Sequence, residues 1–69
     1  MSPQQSAIIA HMNIHGSITG REAVLELHML DLRKRISELR RLGYVITDIW
    51  EDHEDGKHKR YFLGGRSNA

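Results

Sequence analysis

The sequence predicts a small α+β fold that is mainly helical, with three short helices followed by a two-stranded β-hairpin. Three observations carry this. Apolar residues recur at helical spacing as far as residue 42, most clearly Leu32, Ile36 and Leu39 at i, i+4 and i+7. Two capping-box patterns, Ser2 with Gln5 and Thr19 with Glu22, mark helix starts, and Gly16 and Gly43 stand where helices should stop. After Gly43 the chain turns to β-branched and aromatic residues, in two runs separated by an Asp55-Gly56 turn signal.

The first helix is expected over Pro3–His15. Pro3 suits its first position, where a backbone N–H would go unpaired in any case. Ile8, Ile9 and Met12 form its apolar face, while His11 and Asn13 are expected to look outward. Ser17-Ile18-Thr19 reads as an extended link with Ile18 in the core. Thr19-Gly20-Arg21-Glu22 then opens a second helix that runs through Leu27 and turns Ala23, Val24 and Leu27 inward.

Only His28-Met29-Leu30 separates this helix from the third, expected over residues 31–42. So short a connection forces two helices to cross, which is the helix-turn-helix arrangement. Asp31 opens the third helix as its N-cap or as an acid in its first turn, and either place favours the positive end of the helix dipole. At about 100° per residue, Leu32, Ile36 and Leu39 fall within roughly 60° of one another. Lys34 and Arg41 lie opposite that stripe, with Arg33 and Ser37 beside them. Arg40 sits near the core boundary and Glu38 on the far flank. The strands are expected over Tyr44–Trp50 and His58–Leu63. The whole reads as a three-helix helix-turn-helix core with a two-stranded β-hairpin wing, a winged helix. Residues 1–63 form this domain, and residues 64–69, with nothing to bury, are expected to be a flexible C-terminal tail.

Composition narrows the functional classes. A chain of 69 residues forms one domain and buries only about 60% of its unfolded surface, so each core position counts. The absence of cysteine excludes a disulfide scaffold and a Cys-based zinc finger, and it suits a reducing cytosolic setting. No apolar run approaches the ~20 residues of a membrane span, so no membrane partner is expected. The start lacks the basic-then-apolar order of a signal peptide. There is no glycine-rich phosphate loop and no nucleophile with a base at a telling spacing, so neither an enzyme nor a cofactor is expected. The net charge of +1 conceals segregation. Arg33 to Arg41 carries five cations and one anion, Glu51 to Asp55 four acids without Lys or Arg, and Lys57 to Arg60 three bases.

Gly16 to Thr19 (G-S-I-T), Arg21 to Leu27 (R-E-A-V-L-E-L), Arg35 to Arg40 (R-I-S-E-L-R) and Gly43-Tyr44 together resemble the small winged helix-turn-helix proteins common in phages and prophages. The resemblance covers roughly residues 4–63. It implies a DNA-binding domain, often of regulatory role, acting on double-stranded DNA in the bacterial cytosol, and not an enzyme. Two departures stand out. His28 occupies the turn before the third helix, where such proteins tend to have glycine. The wing tip, Glu51-Asp52-His53-Glu54-Asp55, is acidic where a wing lying on phosphate would not be.

The third helix of a helix-turn-helix enters the major groove with its N-terminal half nearest the bases. That makes Arg33, Lys34 and Ser37 candidates for base edges, arginine because its fork matches the guanine edge. Arg41 is a candidate for phosphate, and Arg40 for phosphate or for flanking the core. Thr19 and Gly20, through N–H groups at a helix start, could hold another phosphate. Lys57, Lys59 and Arg60 could reach the adjacent backbone or minor groove. Five phosphate contacts would give a log–log salt slope of about −4.5. Arg35 lies close to the apolar stripe and is expected to pair with Glu38, Glu26 or Asp48. Trp50 and Tyr61 are expected to cover the first helix rather than stack on bases. His11 and His15 are four apart, and His53 and His58 flank the wing tip, yet no recognised four-ligand zinc spacing is present, so no metal site is expected.

The favoured reading is a phage-type transcriptional regulator or DNA-architectural accessory protein. The alternative is a protein-interaction module that turns its acidic tip to a host protein. A homodimer would extend the DNA site; the sequence shows no leucine zipper, and Ile14, Leu42 and Ile49 are apolar candidates either for a seam or for the core.

Overall fold

The computed structural model describes residues 1–66. The elements run α1 (Pro3–His15), β1 (Ser17–Thr19), α2 (Gly20–Leu27), α3 (Leu32–Arg41), β2 (Tyr44–His53) and β3 (Gly56–Arg66). The strands form one antiparallel sheet in the order β1-β3-β2, with Ile18 opposite Tyr61 and Trp50 opposite Lys59. The expected two-stranded wing is therefore part of a three-stranded sheet. Ile18 is fully buried, and a backbone taken that deep must pair its N–H and C=O groups. Residues 17–19 do so along β3.

The local signals explain the helices. Ser2 accepts from the Gln5 N–H at 3.2 Å while the Gln5 side chain accepts from the Ser2 N–H at 3.0 Å. Thr19 and Glu22 repeat this reciprocal cap, both bonds at 3.1 Å. Gly16 stops α1 in the left-handed region at φ 86. His28 caps α2 in the same region at φ 53, ψ 41, the one non-glycine residue with positive φ among those described. Asp31 takes the N-cap position of α3 without a side-chain cap bond.

Both wing strands outrun the expectation. His53 pairs with Gly56, so only Glu54 and Asp55 make the turn. At the other end Arg66 pairs with Tyr44, which puts Gly64–Arg66 in β3 and not in a loose tail. The register slips there: Gly64 and Gly65 together face Val45, with Gly65 at φ 111, a bulge that glycine accommodates without a Cβ penalty. Residues 67–69 of the expected tail lie outside the described residues.

The core joins Ile8 and Met12 of α1, Ile18 of β1, and Leu32, Ile36 and Leu39 of α3, closed by Ile46 and Tyr61 of the sheet. Three expectations need correction. Val24 is 41% exposed, because α2 meets its neighbours through the small Ala23 and the next residue is rotated about 100° away. Met29, in the turn, is buried instead. His11 does not face outward but is buried, toward α2, with Nε2 3.7 Å from Glu22 Oε1. Trp50 is 64% exposed and does not cover α1. It shares a sheet face with Ile46 and lines an open cleft with the first turns of α2 and α3.

Long side chains brace the layers. Arg35 pairs with Glu38 at 2.8 Å, as its position beside the stripe suggested. Gln5 donates to the same carboxylate at 2.9 Å. The molecule is elongated, with principal extents of 39 × 22 × 21 Å.

Candidate nucleic-acid interface

The outer face of α3 is set by its inner one. With Leu32, Ile36 and Leu39 buried, helical geometry turns Arg33, Lys34, Ser37 and Arg41 to solvent, and all four are exposed. Beside the first turn of α3 lies a cleft of about 250 Å³, bounded by Gly20 and Arg21 at the start of α2, Arg33 of α3, and Trp50, Lys59 and Tyr61 of the wing. Arg21, Arg33 and Lys59 line it together with the Trp50 indole. Lys59 Nζ stands 4.8 Å from the Trp50 ring centroid, within cation–π range. Tyr61 forms the floor and is buried. Burial, with the Asp48 carboxylate nearby, pushes its hydroxyl above the ordinary 10.0 and keeps it neutral, while Arg33 and Arg40 pull the other way.

Several of the expected contact residues already have partners within the protein. Arg40 donates twice to the Ile46 carbonyl, at 3.1 and 2.8 Å, and once to Asp48 at 2.9 Å. It fastens α3 to β2. Arg60 donates to Glu51 and to the Ser17 hydroxyl, both at 2.9 Å, and lies 3.4 Å from Glu22. It binds β3 to β2 and α2. The hydrogen bond from Arg60 is the leading reason that the Glu51 carboxyl is held below the usual 4.5. Thr19 is buried, and its hydroxyl and N–H are both engaged by Glu22, so the donor expected for a phosphate is already satisfied. Lys57 is exposed near the tip, opposite Asp52.

The acidic tip is partly matched from within. Glu51 lies 3.4 Å from His53 as well as bonding Arg60, and Asp55 lies 3.1 Å from His58. Asp52 and Glu54 are exposed. Of the apolar residues considered for a dimer seam, Ile14, Leu42 and Ile49 are all exposed, at 76%, 44% and 50%. Among the described residues no helix is long and apolar enough to cross a membrane.

Of the cleft residues, Arg21 escaped the sequence reading, and Trp50 was expected to cover α1 rather than to line an open cleft. Arg21 appeared only as a lone cation one residue into α2. The signal for Trp50 was partial: it shares parity with Ile46 and Asp48 on β2, but parity does not say that the space before it is an open cleft.

Neither the curated proteins nor the solved structures give a match. Residues 3–66 match the family model described as a winged helix-turn-helix domain. That span takes in all three helices and the three-stranded sheet, and on it the chain belongs to the winged helix-turn-helix domain family.

Proposed function

We propose that the protein binds double-stranded DNA with the first half of α3 in the major groove, as a phage-type transcriptional regulator or architectural accessory protein. Family membership supports DNA binding in general. The observation that carries the finer reading is that Arg33, on the same exposed face of α3 as Lys34 and Ser37, lines a cleft with Arg21, Lys59 and Trp50. In this reading Arg33, Lys34 and Ser37 address base edges, and Arg21, Arg41, Lys57 and Lys59 hold the backbone. Arg40, Arg60 and Thr19 serve the fold. The protein acts by binding, with no chemical step and no cofactor, in the bacterial cytosol.

Phosphate contacts make affinity salt-dependent, because each neutralised phosphate releases counterions. Titration of a random duplex at low and moderate salt should give a log–log slope of about −3.6 for the four backbone contacts. Absence of salt-dependent binding by the folded protein would sink this reading. It would then favour the second one, a protein-interaction module that offers exposed Asp52 and Glu54 to a basic host protein.

A further inference from the structure

We propose that His11, His15 and Glu26 form a site for a divalent transition ion of the zinc type, joining α1 to α2. One ligand atom from each of these residues lies within 4.8 Å of the other two. The histidines are four apart on α1, so one helix face carries both, with ring centroids 4.5 Å apart. Two histidines at this spacing are a recognised half of a zinc site. No spacing in the sequence pointed to the third ligand, Glu26, which comes beside the histidines only when α2 packs on α1.

Imidazole nitrogen and carboxylate oxygen suit zinc, cobalt(II) and nickel(II), and three protein ligands leave a position for water. Bonds of roughly 2.0–2.1 Å around a tetrahedral ion put neighbouring ligand atoms about 3.3 Å apart. Closing from 4.8 Å therefore asks for a movement of about 1.5 Å. His15 and Glu26 are exposed side chains that can supply it by rotamer change, while His11 is buried and fixed. Glu22 stands beside His11, 3.7 Å from its Nε2, and is itself held by Thr19 and Arg60.

The cluster lies on α1 and α2, so the inference stands or falls apart from DNA binding. The test is a calorimetric titration of the whole chain with zinc, repeated on three variants. The wild type should bind one ion. His15→Ala and Glu26→Gln should each weaken binding at least about tenfold, as loss of a ligand requires. The double variant His53→Ala/His58→Ala should bind within about twofold of wild type, which separates the site from the wing-tip histidines. Zinc should also raise the melting temperature of the wild type by about 4 °C or more, since a ligand of the folded state adds stability by mass action, and should not raise that of His15→Ala. His15 is exposed, so this variant should melt with the wild type when metal is absent. No stoichiometric binding, or binding that survives in His15→Ala and vanishes in the wing double variant, would overturn the assignment.

Discussion

The Gln5 side-chain amide donates to Glu38 at 2.9 Å, tying the first turn of α1 to the middle of α3 across 33 residues. That bond, ahead of Arg35, is the chief reason the Glu38 carboxyl sits below the ordinary 4.5, against the opposing effect of desolvation. Glu51 is lowered in the same sense by Arg60. A carboxyl with a depressed value in the folded state binds fewer protons there than in the unfolded chain. Its contribution to stability is complete above about 4.5 and disappears as pH falls through the folded value. The urea midpoint should therefore decline as pH drops below about 4.5, and Glu38→Gln should make that decline shallower. An equal decline in both proteins would contradict the assignment.

Ile36 is 1% exposed at the centre of the α3 stripe. Ile36→Ala removes buried methylenes and leaves a cavity, a loss of about 2–5 kcal/mol. In a domain of this size that is enough to unfold a measurable fraction at 25 °C. Urea denaturation with the slope held common to both proteins gives the number directly.

His28 pays for its left-handed backbone in strain, at φ 53. Glycine there should be neutral to stabilising, because relief of about 1–2 kcal/mol of strain is set against roughly 0.5–1 kcal/mol of added chain entropy. His28→Val should destabilise by more than about 1 kcal/mol, since a β-branched side chain tolerates that region worst. Thermal melts of the two variants should move in opposite directions, or the valine melt alone should fall.

Arg33→Ala/Lys34→Ala should abolish most duplex affinity with little change in melting temperature, because both side chains point away from the core. The salt slope of the remaining binding should be shallower by about 1.8 if both touch phosphate, and by less if they meet bases. Arg40→Ala should behave differently. It leaves the Ile46 carbonyl and Asp48 without their donor, so the melt falls along with the affinity.

Trp50 is the single tryptophan and lies open to solvent beside Lys59. Its fluorescence should change on duplex addition, in proportion to occupancy. Trp50→Ala should weaken binding while the melting temperature stays close to wild type. An emission spectrum unmoved at saturating DNA would take the cleft out of the interface.

The helices were legible because their signals are local. Ser2 with Gln5 and Thr19 with Glu22 name their own ends within four residues, and Leu32, Ile36 and Leu39 disclose the inner face of α3 by period alone. Other features depended on what crosses what. Nothing within an eight-residue α2 says that Ala23, and not Val24, meets the neighbour. Ser17–Thr19 is too short for a period of two to show, and its strand character comes from β3. The helical wheel gave the direction of Arg40 but not its acceptor, a carbonyl on the following strand. Arg60 was read from charge alone, while its partners Ser17 and Glu22 lie 43 and 38 residues away.

The elongated shape fixes a ruler. At 39 Å, the longest dimension spans about eleven base pairs of B-form duplex at roughly 3.4 Å each. Nuclease protection much beyond that length would therefore count molecules: the extent of the protected tract reports how many copies sit side by side, before any measurement of self-association in free solution.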